Sequence, residues 1–217
     1  VVVAIDERTL NALGADEPSR RADAQVLDRL FAMGAERVFF AHACADLTEP
    51  EEDAEFARAL ERHKDRVYIG GTPKFDQSDG STSGILPNVR FRDSAQIVSM
   101  YGEMAPFSLS SRLPTSSFIL GEERASFSAE LARLDLAGGV YRPDFAIDHK
   151  TIPTFGYIGA LTGIMSAEAV REKDVVVASA SRASRDFYPI PLGERVAGAY
   201  FHVIGAETLK RGYPPRV

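Results

Sequence analysis

The sequence predicts an α/β fold, a single domain over residues 1–217 with a central, largely parallel or mixed sheet flanked by helices. Three observations predict it. Short β-branched runs are too brief to be helices, helical stripes of apolar residues lie between them, and the two alternate through the opening third of the chain. The 217 residues, 45% hydrophobic and 26% charged, suit one water-soluble unit with a substantial core.

The first run, Val1-Val2-Val3-Ala4-Ile5, is apolar throughout, as a strand buried on both faces must be, and Asp6 stands at its C-terminal end. Residues 24–33 place Val26, Leu27, Leu30 and Phe31 on one helical stripe, with Gly34 as the stop. Residues 37–41 form the second strand. Thr48-Glu49-Pro50-Glu51 has the spacing of a capping box with proline in the first turn, and predicts a helix to about His63. The carboxylates at 49–55 suit the positive end of that helix, which explains them without a cation site.

Residues 67–69 read as a third strand closed by Gly70 and Gly71, and the Gly/Ser-rich stretch 76–84 as a mobile loop rather than a domain boundary. Further on, 96–101 reads as a strand, 127–136 as a helix with Phe127, Leu131 and Leu134 on one face, and 141–147 as extended chain, while 104–120 stays unassigned. Residues 151–167 carry no charge but include Pro153, Gly156, Gly159 and Gly163, and fall short of the roughly 20 residues that span a bilayer. They read as an irregular core segment. A short helix at 167–172, a buried strand at 174–180, a last strand at 199–203 and a helix ending at Gly212 complete the pattern. No repeat or heptad run is present.

A net charge of −6 and a pI near 5.3 argue against nucleic acid and against an anionic membrane surface as partners. Cys44 is the only cysteine, which excludes an intramolecular disulfide and a zinc site of paired thiolates, and leaves the redox compartment open. The opening residues have no basic region or cleavage site of a signal peptide, and read as a strand cut from a longer chain.

No phosphate-cradling Walker pattern occurs, and the glycines from 156 to 163 lack dinucleotide-binding spacing. In Gly80-Ser81-Thr82-Ser83-Gly84 a threonine takes the serine place of a nucleophile elbow and no buried strand precedes it, so no hydrolase elbow is read there. His42, His63, His149 and His202 never fall at the i, i+4 spacing of a helical metal site. Asp144, Asp148 and His149 could supply ligands, but charged groups in an exposed connection are ordinarily solvated. No metal and no cofactor is expected.

Ligands of parallel α/β sheets sit outside the strand C-termini. That geometry selects Asp6 after the first strand, His42 after the second, Ser181, Arg182 and Asp186 after the 174–180 strand, and His202 at the end of the last. Each also has a structural reading: Asp6 as a helix cap, Asp186 as a partner of Arg182 or Arg185, His202 as a core histidine.

The most specific signal is in the last third. Phe145-Ala146-Ile147-Asp148-His149-Lys150-Thr151-Ile152-Pro153 is followed by Asp174-Val175-Val176-Val177-Ala178-Ser179-Ala180. Then come Asp186-Phe187-Tyr188-Pro189-Ile190-Pro191-Leu192-Gly193, Gly198-Ala199-Tyr200-Phe201-His202, Ala206-Glu207-Thr208-Leu209 and Gly212. Together with Val3-Ala4-Ile5-Asp6, Thr9-Leu10, Leu13-Gly14, Arg20, residues 27–38, Glu51-Glu52-Asp53, Phe56 and Ala59-Leu60, this order resembles the CHASE2 family over nearly the whole chain, most weakly at 74–125. Two departures stand out: Ala15-Asp16-Glu17-Pro18 replaces a Trp-Pro-Trp-like segment common in the family, and Ala41 replaces an Asp.

The resemblance implies a non-enzymatic sensory domain outside the cytoplasmic membrane, periplasmic or extracellular, excised from a receptor with one membrane helix before it and usually three after. It also implies a cytoplasmic output such as a histidine or serine/threonine kinase, an adenylate cyclase, or a diguanylate cyclase or phosphodiesterase. It assigns no binding residue. The expected partners are an unknown small molecule, a second copy in a homodimer, and the membrane through helices outside this chain. Two alternatives stay open: a free-standing α/β hydrolase-like enzyme drawing Ser, His and Asp from separate loops, and a ligand-free dimerisation or interaction module.

Overall fold

The computed structural model describes residues 1–75, 82–103, 111–134, 139–184, 186–191 and 194–212. The chain forms two compact units that alternate along the sequence. The first comprises Val1–Ile69, Pro87–Gln96 and Ile152–Arg185, the second Gly70–Leu86, Ile97–Thr151 and Asp186–Val217.

In the first unit the apolar runs become parallel strands: β1 (Val2–Ile5), β2 (Arg37–Phe40), the start of β3 (Val67–Phe75), β10 (Thr154–Gly156) and β11 (Asp174–Ser179). Their order is β10-β1-β11-β2-β3, with Val2 beside Val176 and Val38 beside both Val175 and Val67. Every residue of β1 and β2 is buried, as the unbroken apolar runs require. The pattern is the α/β class that the sequence predicts, and the sheet becomes mixed where antiparallel partners join β3.

Helices α1 (Glu7–Leu13), α2 (Arg20–Ala32), α3 (Pro50–Arg62), α4 (Val89–Arg92) and α6 (Tyr157–Thr162) belong to the same unit. Val26, Leu27 and Leu30 of α2 and Phe56, Ala59 and Leu60 of α3 join Val3, Val38, Phe40 and Val177 in one core. Helix α2 starts earlier than its apolar stripe, because Ser19 caps it, accepting from the Ala22 N–H at 3.3 Å. The expected capping box of α3 does not form. Glu49 makes no side-chain cap, and Thr48 instead donates its N–H and Oγ1–H to the buried carboxylate of Asp53, at 2.9 and 3.1 Å. The expected helix at 167–172 is a 3₁₀ turn, Ala167–Ala169.

In the second unit β3 does not stop at Gly70 and Gly71 but runs to Phe75. A Cβ on Gly70 would lie 2.1 Å from the Met100 sulfur, so the glycine makes room for that side chain and is no terminator. Antiparallel β4 (Thr82–Ile85) pairs with it, Thr72 beside Ile85, and β5 (Gln96–Ser99) also joins β3. The expected loop therefore ends sooner, with Ser83 and Gly84 inside a strand, while residues 76–81 lie outside the described residues. Two small pairs follow, β6 (Leu113–Pro114) with β9 (Val140–Tyr141) and β7 (Ser116–Ile119) with β8 (Glu122–Ala125). Leu120 and Gly121 turn the second hairpin with φ of 51° and 84°, the left-handed pair a two-residue hairpin needs. Of the extended chain expected over 141–147, only Tyr141, the last residue of β9, lies in a strand.

Helix α5 (Phe127–Ala132) is shorter than the expected 127–136, because Arg133 turns to φ 59°. After the β12 (Phe187–Pro189) and β13 (Arg195–Ala197) hairpin comes α7 (Gly198–Lys210), which occupies the expected last strand at 199–203. Most of its thirteen residues are buried, so it lacks the one-sided stripe that marks a helix, and its β-branched and aromatic residues look like strand. Gly205 lets α5 approach: a Cβ there would lie 2.4 Å from Leu113 Cδ1 and 2.8 Å from Ser128 Oγ. His202 sits within this packing, 3% exposed, with Ser128 Oγ 3.4 Å from its Nδ1 and donating to its carbonyl oxygen at 3.0 Å. Burial pushes its pKa down to about 4, so the ring is neutral.

Each unit yields a prediction. At the N-terminal ends of β2 and β11, Arg37 Nε and Nη2 donate to the two oxygens of Asp174 at 2.8 and 2.7 Å, with both side chains largely buried. Asp174→Ala removes the guanidinium's carboxylate partner and should lower the urea-unfolding free energy by about 3 kcal/mol, whereas the Asp174→Ala, Arg37→Ala double variant should lose less than the sum of the single losses. A loss on the scale of an ordinary surface pair would refute this. His202 binds its proton less readily folded than unfolded. Its contribution is therefore whole above about pH 6.5 and declines as the pH falls towards 4, by up to about 3 kcal/mol. His202→Gln should flatten that part of the pH–stability curve, and an unchanged slope would count against it.

Candidate functional site

A cavity of about 360 Å³ opens in the first unit where the parallel strands end. Ile5 and Ser179, the last residues of β1 and β11, form part of its floor, and His42 and Cys44 reach it from the chain leaving β2. The start of α2 supplies Arg20 and Asp23, one turn apart on one helix face. The segment after β2 is anchored by Asn88, whose N–H donates to the Cys44 carbonyl at 3.0 Å and whose side-chain amide donates to the Ala45 carbonyl at 3.4 Å. Cys44 adopts φ 47° in this bend.

The inner wall is organised around Asp23, a carboxylate only 2% exposed. Tyr157 of α6 donates its hydroxyl to Oδ1 at 2.9 Å, Arg20 Nη1 donates to Oδ2 at 3.4 Å, and His42 Nε2 stands 3.8 Å from Oδ2. Burial opposes charge on His42, but the Cys44 sulfur and the Asp23 carboxylate outweigh it and hold the imidazole above its ordinary range. Burial, then the adjacent carboxylate, raises the Tyr157 pKa and keeps that group a proton donor. Arg20 is charged, and among the described residues its buried Nε has no hydrogen-bond partner. The wall therefore has more donors than its one carboxylate can accept.

The candidates from sequence fall in different places. His42 lines the cavity. Asp6 caps α1, its Oδ1 accepting from the Thr9 N–H at 2.9 Å. Ser181 is buried, with its carbonyl accepting from Ser184 Oγ at 2.8 Å. The exposed Arg182 donates its backbone N–H to Glu7 Oε1 at 2.9 Å. Asp186 and His202 belong to the second unit. There the Asp186 carboxylate lies against Gly198, the first residue of α7, where a Cβ would meet its Oδ2 at 2.3 Å; an anion suits that positive helix end. Among the alternative metal ligands, Asp144 Oδ1 accepts from the Ala146 N–H at 3.0 Å and Asp148 Oδ1 from the Lys150 N–H at 2.9 Å.

Sequence reasoning missed Arg20, Asp23, Cys44 and the acidic residues Asp16, Glu17 and Asp46, which also line the cavity. One signal was present. Ser19 as a helix cap would have placed Arg20 and Asp23 in the first turn, beside the strand ends. Asp16, Glu17 and Pro18 come from the segment that departs from the pattern quoted above.

A family model, CHASE2 domain, matches residues 1–212. No curated protein and no solved structure matches the chain. Among the described residues, no helix is long and apolar enough to cross a membrane.

Proposed function

We propose, on the premise that this chain belongs to the CHASE2 family of extracytoplasmic sensory domains, that it is the signal-receiving part of a transmembrane receptor and that the cavity of the first unit is where the signal binds. The observation that carries the reading is the donor-rich inner wall around Asp23, placed where the parallel strands end and loops and helix starts converge. A ligand held there touches β1, β11, α2 and the segment after β2 together. It would shift the receptor towards whichever state closes those elements on it, since a ligand moves an equilibrium only through unequal affinity for its two states. The output is a cytoplasmic module of the kinase, adenylate cyclase, or diguanylate cyclase or phosphodiesterase kind, reached through membrane helices outside this chain.

The hydrolase-like alternative needs a serine and a histidine open to substrate. Ser128 and His202 are near enough, but both are buried, and the serine donates to the histidine's own carbonyl oxygen. That pair supports packing rather than turnover.

The test fills the cavity in the intact receptor. Ala45→Phe introduces a ring at a lining residue that is not one of the partners of Asp23. Stimulus-dependent output should be lost while the unfolding midpoint stays near that of the parent protein. A stably folded Ala45→Phe receptor that signals like the parent would remove the cavity from the signalling path.

A further inference from the structure

We infer that the cavity takes a small amino acid, a zwitterion whose carboxylate meets Arg20 and His42 and whose primary ammonium meets the carboxylates Asp16, Glu17 and Asp46. The inference rests on the cavity being the sensing site. It follows from how charge is distributed around the walls.

Inside, Asp23 already accepts from Tyr157 and Arg20 with His42 beside it, yet of the five N–H donors of the Arg20 guanidinium one makes a hydrogen bond among the described residues, at 3.4 Å. Its Nε is buried and unpartnered, and His42 keeps 30% of its side chain exposed beside it. A guanidinium with free donors next to an imidazole is a receptor for a planar anion, and a carboxylate fits the guanidinium fork. Among the described residues, the remaining charges of the lining are of the opposite sign. Asp16, Glu17 and Asp46 are exposed carboxylates, and together they repel a ligand that is anionic throughout, such as a phosphorylated or multiply carboxylated molecule.

One anionic group going inward and one cationic group left among carboxylates describe a zwitterion. The cation is further specified by what surrounds it. Carboxylates reward N–H donors, whereas a quaternary ammonium is held by aromatic faces, and among the described residues no aromatic ring other than the His42 imidazole lines the cavity. Among the described residues, no three His, Cys, Asp or Glu side chains are placed to hold a metal ion, so an organic cation suits these carboxylates better than a metal. About 360 Å³ is ample for an amino acid of modest side chain.

The experiment measures thermal unfolding and titration calorimetry of this chain with glycine, L-alanine, L-leucine, β-alanine and γ-aminobutyrate. Three controls are the N-acetyl form of the best binder, its amide, and glycine betaine. At least one amino acid should raise the midpoint in a concentration-dependent way. Removing either charge should weaken binding by about tenfold or more, and the betaine should not compete. Arg20→Gln should abolish the effect. Because Arg20 also pairs with Asp23, the exposed Asp46→Asn is the second variant: it should fold like the parent, bind the amino acid several-fold more weakly, and leave binding of the N-acetyl form unchanged.

No binding by any member of the panel, or equal binding of the N-acetyl form, overturns the inference. If that happens while Ala45→Phe still uncouples the receptor, only the ligand class falls. If both experiments fail, the sensing site falls with it.

Discussion

The buried carboxylate of Asp23 is the constraint on which the cavity depends. At 2% exposure it has given up its water, and a charge so placed persists only if the protein supplies its partners. Tyr157, Arg20 and His42 come from α6, α2 and the chain beyond β2, so one carboxylate ties three separate segments at the strand ends. Leaving such a charge unpaired costs about 3–5 kcal/mol, comparable to a large share of a domain's net stability. That energy holds the wall in one arrangement. The same arrangement leaves Arg20 short of acceptors, which an optimally stable core would not do, and unmet polar groups of this kind are where binding sites are found.

The sheet and the site differ in how they are stabilised. In the first unit, β1, β2 and β11 are held by apolar packing on both faces and by the Arg37–Asp174 pair at their N-terminal ends, opposite to the ends that open into the cavity. The strands then carry irregular segments that line the cavity. Cys44 illustrates the division: its positive φ is tolerated because Asn88 secures the bend from outside the cavity.

What was legible in the sequence follows from the same division. The parallel strands announced themselves because burial on both faces leaves no choice but unbroken apolar runs such as Val1 to Ile5 and Val175 to Ala178. Helix α7 did not, because burial all round erased its periodicity and its Tyr200-Phe201-His202-Val203 run carries strand propensity. The rule that ligands sit beyond strand C-termini pointed to the end of the sheet where the cavity opens, and of the residues it selected one, His42, lines that cavity. It favoured residues directly following strands in sequence, and so reached His42. The decisive partners lie on a helix start, where Arg20 and Asp23 look like ordinary first-turn residues until Tyr157, 134 positions from Asp23, is brought onto the carboxylate. A contact of that separation leaves no local trace.

The places where this chain departs from the CHASE2 pattern bear on how such a domain acquires its ligand. The segment at 15–18, aromatic in many members and acidic here, furnishes Asp16, Glu17 and Pro18 to the cavity, and Ala41 directly precedes His42. Neither position belongs to the hydrophobic core. Replacing an indole by a carboxylate in such a wall exchanges an apolar, cation-stacking surface for one that demands N–H donors, at little cost to the sheet beneath. The lining segment that departs from the pattern is thus separate from the strands and from the buried Asp23 network, so its charge can change without disturbing the sheet.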